Sequence, residues 1–481
     1  MIGTVWKRFF LTLGIFLLIG IQGYAKDLQR KEYTELEFDE ELTWSEPKVH
    51  NFRLQNGINF YIVEDHELPL VNVQVMVRSG EFLVPEGKQG LAEITAEVMR
   101  SGGSEKYPAE SLNRLLANKA ANINMSFGFS SGSASMDILK EDFEELLPVF
   151  VDLLHKPKFP SEKIDLAKQK LMTDISRRND QQAEIAFRIF KKMIYGQDHV
   201  YARVPEYSTV KSISRSDLQS FHEKAYQGAN MLVGIIGDID PDKIKSLLKK
   251  ELSVFAKGNE QEIKVPAVNY KYKKGLNLVD KPDVNQSFIL MGHIGGKRQN
   301  PDYAKLQVLN KILSGGFSGR LFEKVRTEMG LAYSVFGEYG CNYFYPGMFF
   351  VGLKTKTSAT AKAIKVVEKE LSRVQKGVSK QELEQAKDQF FNSLVFRYDE
   401  PSEFLARRMY YVYRKMPKDS FEDLVQQIRE VTASDIEEIA RKYLHPEKLK
   451  VLVVGKKQEL VGQLEDLGKL REIDLSKGQS W

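Results

Sequence analysis

Residues 216–237, SDLQSFHEKAYQGANMLVGIIG, and residues 434–455, SDIEEIARKYLHPEKLKVLVVG, carry one pattern twice. Each copy opens with serine and aspartate, runs through a helical apolar spacing (Leu218 and Phe221; Ile436 and Ile439), and ends in an apolar run closed by glycine. Asp217 and Asp435 are 218 residues apart, and so are Gly237 and Gly455. Ser216 and Ser434 suit helix N-caps, with the aspartates in the first turn favoured by the free N–H groups and the helix dipole.

A second echo pairs Ser101-Gly102-Gly103 with Ser314-Gly315-Gly316, 213 residues apart, each after a helical pattern. A unit of about 215 residues is far longer than a solenoid repeat. The chain therefore reads as a duplicated α+β domain, with helices and several strands in each copy. Residues 256–274 are rich in Lys, Glu, Gly and Pro without apolar periodicity, which marks a linker. The first repeat is then expected over 48–255 and the second over 275–481, with 26–47 an acidic lead-in.

The N-terminus has the pattern of a signal peptide over residues 1–25: basic Lys7 and Arg8, an apolar run from Phe9 to Ile21, and Gly23-Tyr24-Ala25 as a small-x-small cleavage site. The apolar run falls short of the ~20 residues that span a bilayer. An exported chain, in the periplasm and without stable membrane insertion, is expected. The 481 residues are 42% hydrophobic and 28% charged, ordinary for a folded protein of more than one domain. The net charge of +5 arises from 70 basic and 65 acidic residues that are interspersed, which argues against a nucleic-acid partner. Cys341 is the single cysteine, so neither an intrachain disulfide nor a cysteine zinc cluster can form. The seven histidines are scattered, with no pair at i+2, i+3 or i+4.

Leu54-Gln55-Asn56-Gly57 before a strand, then Pro85-Glu86-Gly87-Lys88-Gln89-Gly90-Leu91-Ala92, resembles the pitrilysin/insulinase-type (inverzincin) metallopeptidases. Asn310 to Leu321, Val325-Arg326 and Gly330-Leu331-Ala332-Tyr333 are similar to that family's second repeat, in the right order and spacing. The resemblance implies two homologous repeats, each a mostly antiparallel sheet packed with helices, forming a half-shell around a chamber.

Active members carry H-x-x-E-H directly after Gly-Leu-Ala, two histidines at i, i+4 holding zinc and a glutamate acting as base. Here that stretch is Glu93-Ile94-Thr95-Ala96-Glu97. Both histidine positions are glutamate, the base is Ala96, and the distal ligand position matches Asp174. Carboxylates alone suit hard cations rather than zinc, and Glu93 and Glu97 also fit a solvated helix face opposite Leu91, Ile94 and Val98. No cofactor is expected in this chain.

The resemblance also implies a catalytic pair, Arg326 and Tyr333, which in the family faces the zinc across the chamber. Arg326 can hold a peptide carbonyl, and the Tyr333 hydroxyl can donate to a developing oxyanion. The expected role is thus the non-catalytic subunit of a heterodimeric zinc metalloendopeptidase, whose partner is a homologous H-x-x-E-H subunit containing the zinc. A proteolytically inactive structural or peptide-binding envelope protein is the alternative. The glycine-rich turn from Ser314 to Arg320 lacks the lysine and spacing of a P-loop and is expected to border the chamber.

Overall fold

The computed structural model describes residues 47–395 and 400–475; the signal-peptide pattern and nearly all of the acidic lead-in lie outside them. Two six-stranded sheets organise the chain. The first comprises β1 (Val49–Arg53), β2 (Asn59–Glu64), β3 (Leu70–Val77), β4 (Asn122–Phe127), β5 (Gly132–Leu139) and β6 (Met231–Gly237). The second half supplies β7 (Gly275–Asp280), β8 (Gln286–Ile294), β9 (Gly296–Lys297), β10 (Ala332–Tyr339), β11 (Cys341–Asn342), β12 (Met348–Lys356), β13 (Lys450–Gly455) and β14 (Leu470–Ile473). Of these, β9 and β11 pair only with each other.

The first sheet runs β1-β2-β6-β3-β5-β4 and the second β14-β7-β13-β8-β12-β10. Five strands correspond one to one. In both, the strand after the helix of the sequence repeat inserts parallel to the first inner strand (β6 on β2, β13 on β7) and antiparallel to the next (β3, β8). The outer strand differs: β1 is antiparallel to β2, whereas β14 is parallel to β7. Antiparallel pairs predominate in both sheets. Residues 256–274 form neither helix nor strand.

The repeated helices are Arg215–Ala225 and Ala433–Tyr443, but their caps are Ser214 and Thr432, two residues before the expected serines. Each is a capping box: the hydroxyl accepts from the aspartate N–H while the aspartate accepts from the cap N–H. The aspartate at the third helical position can reach back to the cap only in this register. Lys88 then pairs with Asp217 and Lys305 with Asp435, another equivalence between the repeats.

Helix Gln182–Tyr195 of the first half lies on β8 and β13 of the second sheet, and helix Pro401–Tyr413 of the second half lies on β6 and β2 of the first. The two occupy equivalent places, since Tyr195 and Tyr413 are 218 residues apart. The exchange explains why β6 is buried along its whole length and reads as an unbroken apolar run. Gly234 permits the contact: a Cβ there would stand 2.3 Å from the Met409 sulfur. On the other side Gln182 donates to the carbonyls of Gln286 and Val454, both at 2.8 Å, tying its helix to two strands.

Candidate functional site

Helix Leu91–Gly102 starts at Gly90, whose φ of 100° is the left-handed region that favours glycine. A Cβ there would also come within 2.8 Å of Leu171 on helix Ser161–Arg177, so Gly90 lets the two helices meet. Leu91, Ile94 and Val98 are buried, as their spacing requires. Glu93 and Glu97 are left on the side facing the second helix, which carries Lys170 and Asp174.

Lys170 is bound to this acidic face through Glu97. Its Nζ is 2.9 Å from Glu97 Oε2, and its pKa is raised first by that hydrogen bond, with Asp174 and Glu93 adding their charge. The Glu93 carboxyl is pushed up by burial first and then by Asp174, with Glu97 adding repulsion and Lys170 opposing it. A tethered ammonium offsets part of the carboxylate repulsion here. Carboxylates without a nitrogen donor are a poor set for zinc, and Ala96, 4% exposed, has no group to act as a base. Among the described residues no three His, Cys, Asp or Glu side chains are placed to share a metal ion. The residues present therefore do not fit zinc. Lys170 was missed in the sequence, although its place one helical turn before Asp174 put it on the same face.

Glu93 also lines a cavity of about 410 Å³ between the halves, with Glu81, Tyr195 and Tyr201 from the first and Glu338 and Tyr345 from the second. The Glu81 carboxyl is pushed up to about 7, by burial first and by the charge of Glu93 second. Nothing in the sequence around Glu81 signalled this.

Arg326 and Tyr333 are brought together, but away from that cavity: neither lines it. The Arg326 guanidinium lies 5.3 Å from the Tyr333 ring centroid and 4.6 Å from that of Phe322. Both residues sit on irregular backbone. Arg326 belongs to a π-helical segment, Phe322–Glu328, with Leu331 N–H bonded to Val325 O at 2.9 Å. Tyr333 is the extra residue at a register shift between Ala332 and Ser334, a bulge that re-aims its side chain. Its side chain is 80% exposed. Among the described residues Arg326 has no ion-pair partner.

The turn from Ser314 to Arg320 does not line the Glu93 cavity. Gly316 holds φ at 66°, Phe317 projects 81% exposed and packs edge-on against Phe322, and Arg320 is bound to Glu382 (Nη2 to Oε2, 3.0 Å). Phe317, Phe322, Arg326 and Tyr333 thus form one aromatic and cationic surface, with Phe317 and Tyr333 exposed and Phe322 and Arg326 half-buried. Cys341 is partly buried, and burial pushes its thiol up to about 12, which disfavours the nucleophilic thiolate. His293 and His445, far apart in sequence, lie with ring centroids 5.3 Å apart, their planes tilted by 53°. His293 is fully buried and held near 4 by desolvation.

A family model described as insulinase (peptidase family M16) matches residues 60–204, and one described as the peptidase M16 inactive domain matches 212–390. A Helicobacter pylori protein named as the non-peptidase homologue YmxG is 26% identical over 400 residues, covering 82% of this chain and 91% of that one. An uncharacterized zinc protease, YmxG of Bacillus subtilis, is 22% identical over 364 residues, covering 75% and 87%. A Pseudomonas fluorescens peptidase M16 inactive domain superposes with a TM-score of 0.76 at 21% identity, covering 85% of this chain and 98% of that one. The periplasmic protease PqqL of Escherichia coli superposes with a TM-score of 0.72 at 13% identity, covering 92% of this chain and 50% of that one. At these identities the structural likenesses speak to the fold.

Proposed function

Since this chain belongs to the insulinase family of peptidases, M16, and has glutamates where that family's zinc-binding histidines stand, we propose that it is the non-catalytic subunit of a heterodimeric periplasmic zinc metalloendopeptidase. The partner, a homologous H-x-x-E-H chain, supplies the metal and the attacking water. This chain supplies Arg326 and Tyr333 and helps to hold an unfolded peptide. The name of the Helicobacter relative, a non-peptidase homologue, supports inactivity of the chain alone.

One observation carries the reading. Arg326 and Tyr333 are neighbours on irregular backbone, yet Tyr333 is 80% exposed and neither residue lines the cavity beside this chain's own Glu93. A phenol hydroxyl in solvent stabilises nothing in the folded chain, whereas against an oxyanion in a closed chamber it contributes a few kcal/mol. The guanidinium, with no carboxylate partner among the described residues, can donate to a peptide carbonyl.

Mixing the purified chain with an H-x-x-E-H homologue from the same organism tests the proposal through chelator-sensitive cleavage of an unfolded peptide. The second reading, an inactive structural or peptide-binding envelope protein, draws on Lys170 at the degenerate acid cluster. It gains if the mixture forms no complex and cuts nothing beyond what the homologue cuts alone.

A further inference from the structure

The linker between the repeats is anchored where it passes the end of β3. Glu260 pairs with Arg78 Nε at 3.1 Å and with Lys415 Nζ at 3.0 Å, and the Gln261 N–H donates to Asn230 Oδ1 at 2.7 Å. At this crossing lies a cavity of about 420 Å³ with Tyr343, Phe344 and Tyr413 in its walls.

The charge of this pocket does not balance. Arg78, Arg414 and Lys415 line it together with Glu260 and Glu262. Glu262 is taken up by Lys264 at 2.9 Å. Glu260 is then one carboxylate against three cations.

Arg414 is the cation left over. Its guanidinium lies 3.4 Å from the Tyr410 ring centroid and within 6 Å of Tyr343 and Phe344. The Tyr410 ring covers one face of the guanidinium, and a ring contact of this kind uses none of its N–H donors. Nε is buried without an acceptor, and among the described residues no oxygen accepts from the rest of the fork. Burial lowers the pKa of Arg414, with Arg78 adding repulsion. Five N–H donors in a planar fork match a carboxylate edge-on.

Lys415 is a second mark, independent of the first. It holds φ at 53°, the left-handed region, just after helix Pro401–Tyr413, where Met416 N–H bonds to Tyr411 O at 2.9 Å. That helix-closing turn ordinarily takes glycine. A lysine there is strained backbone retained at the rim of the pocket, its ammonium on Glu260, and strain of this kind concentrates at ligand sites.

We propose that the pocket binds a carboxylate carried on a flat apolar body, the carboxylate meeting the Arg414 fork and Lys415 and the body lying against the aromatic walls. Inorganic phosphate would leave those walls facing water. The site is independent of Arg326 and Tyr333, and because its walls come from both repeats and the linker, its ligand stabilises the joined chain by mass action.

Isothermal titration of the full mature chain with benzoate, inorganic phosphate and chloride at matched ionic strength tests this. Saturable one-to-one benzoate binding is expected, tighter than phosphate, with none for chloride. Arg414→Met should weaken it by about 10- to 100-fold, the loss of a charge-assisted hydrogen-bonded pair. Lys415→Gly relaxes the backbone while removing the charge, so it should melt higher than the parent and still bind benzoate more weakly. Absence of saturable benzoate binding, phosphate binding more tightly than benzoate, or unchanged affinity in both variants would overturn the proposal.

Discussion

The Arg326 guanidinium sits 5.3 Å from the centre of the Tyr333 ring, one residue on a π-helical turn and the other on a β-bulge. Two departures from regular backbone that converge on one exposed pair are costly to keep for packing alone. In the reconstituted pair, Tyr333→Phe should lower turnover by ~100- to 1000-fold, the range for single oxyanion donors. Arg326→Ala should mainly raise the Michaelis constant, because a group holding a carbonyl binds ground state and transition state alike. With Tyr333 80% exposed, the melting curve of Tyr333→Phe should overlay the parent. Unchanged kinetics in both variants would return the pair to an ordinary surface.

The cluster of Glu93, Glu97, Asp174 and Lys170 makes a metal prediction. After dialysis the purified chain should hold no stoichiometric zinc. Lys170→Ala should leave zinc content at zero and shift stability by less than ~1 kcal/mol, since Lys170 and Glu97 are both well exposed. One zinc per chain, lost on replacing Glu93 or Glu97, would contradict the degenerate-site account.

The caps separate two registers. Thr432→Ala should cost about 1 kcal/mol, because its hydroxyl serves the Asp435 N–H. Ser434→Ala, inside the first turn, should change the denaturation midpoint hardly at all. A larger loss at Ser434 would restore the register expected from the sequence.

That register shows where the sequence was legible. The constant 218-residue offset, the linker composition and the Glu93–Glu97 stretch depend on local pattern, and local pattern survives in one chain. The exchange of helices Gln182–Tyr195 and Pro401–Tyr413 does not, because an apolar helix face looks the same whichever sheet it covers. The aromatic surface around Phe317 and Tyr333 was hidden for a related reason: neither the π-turn nor the bulge has a mark in local apolar periodicity, and a strand Tyr in alternation reads as half-buried. Lys170 was visible only as a helical lysine until helix Ser161–Arg177 was docked on helix Leu91–Gly102.

Glu81 should give stability a measurable pH slope. Its folded pKa of about 7 lies above the ordinary 4.5, so its neutral form is favoured by folding, and that contribution is complete below pH 4.5 and lost as pH rises through 7. Glu81→Gln keeps the neutral shape, so it should match the parent near pH 4 and exceed it at pH 8 by on the order of 3 kcal/mol. His222 and His293, buried and held near 4, destabilise parent and variant alike as pH falls below 6.5. The difference between the two urea curves therefore isolates Glu81, and parallel curves across pH 5 to 8 would refute its burial as an unpaired acid.

The most direct measurement is endpoint cleavage of an unfolded peptide by the purified chain, by its H-x-x-E-H homologue, and by the two mixed at one to one, each with and without chelator. The account predicts no cleavage by this chain, chelator-sensitive cleavage by the mixture well above that of the homologue alone, and a mixture made with Tyr333→Phe that falls back towards the homologue's own rate. Chelator-sensitive cleavage by this chain alone after rigorous purification, or a mixture no faster than the homologue, would contradict it.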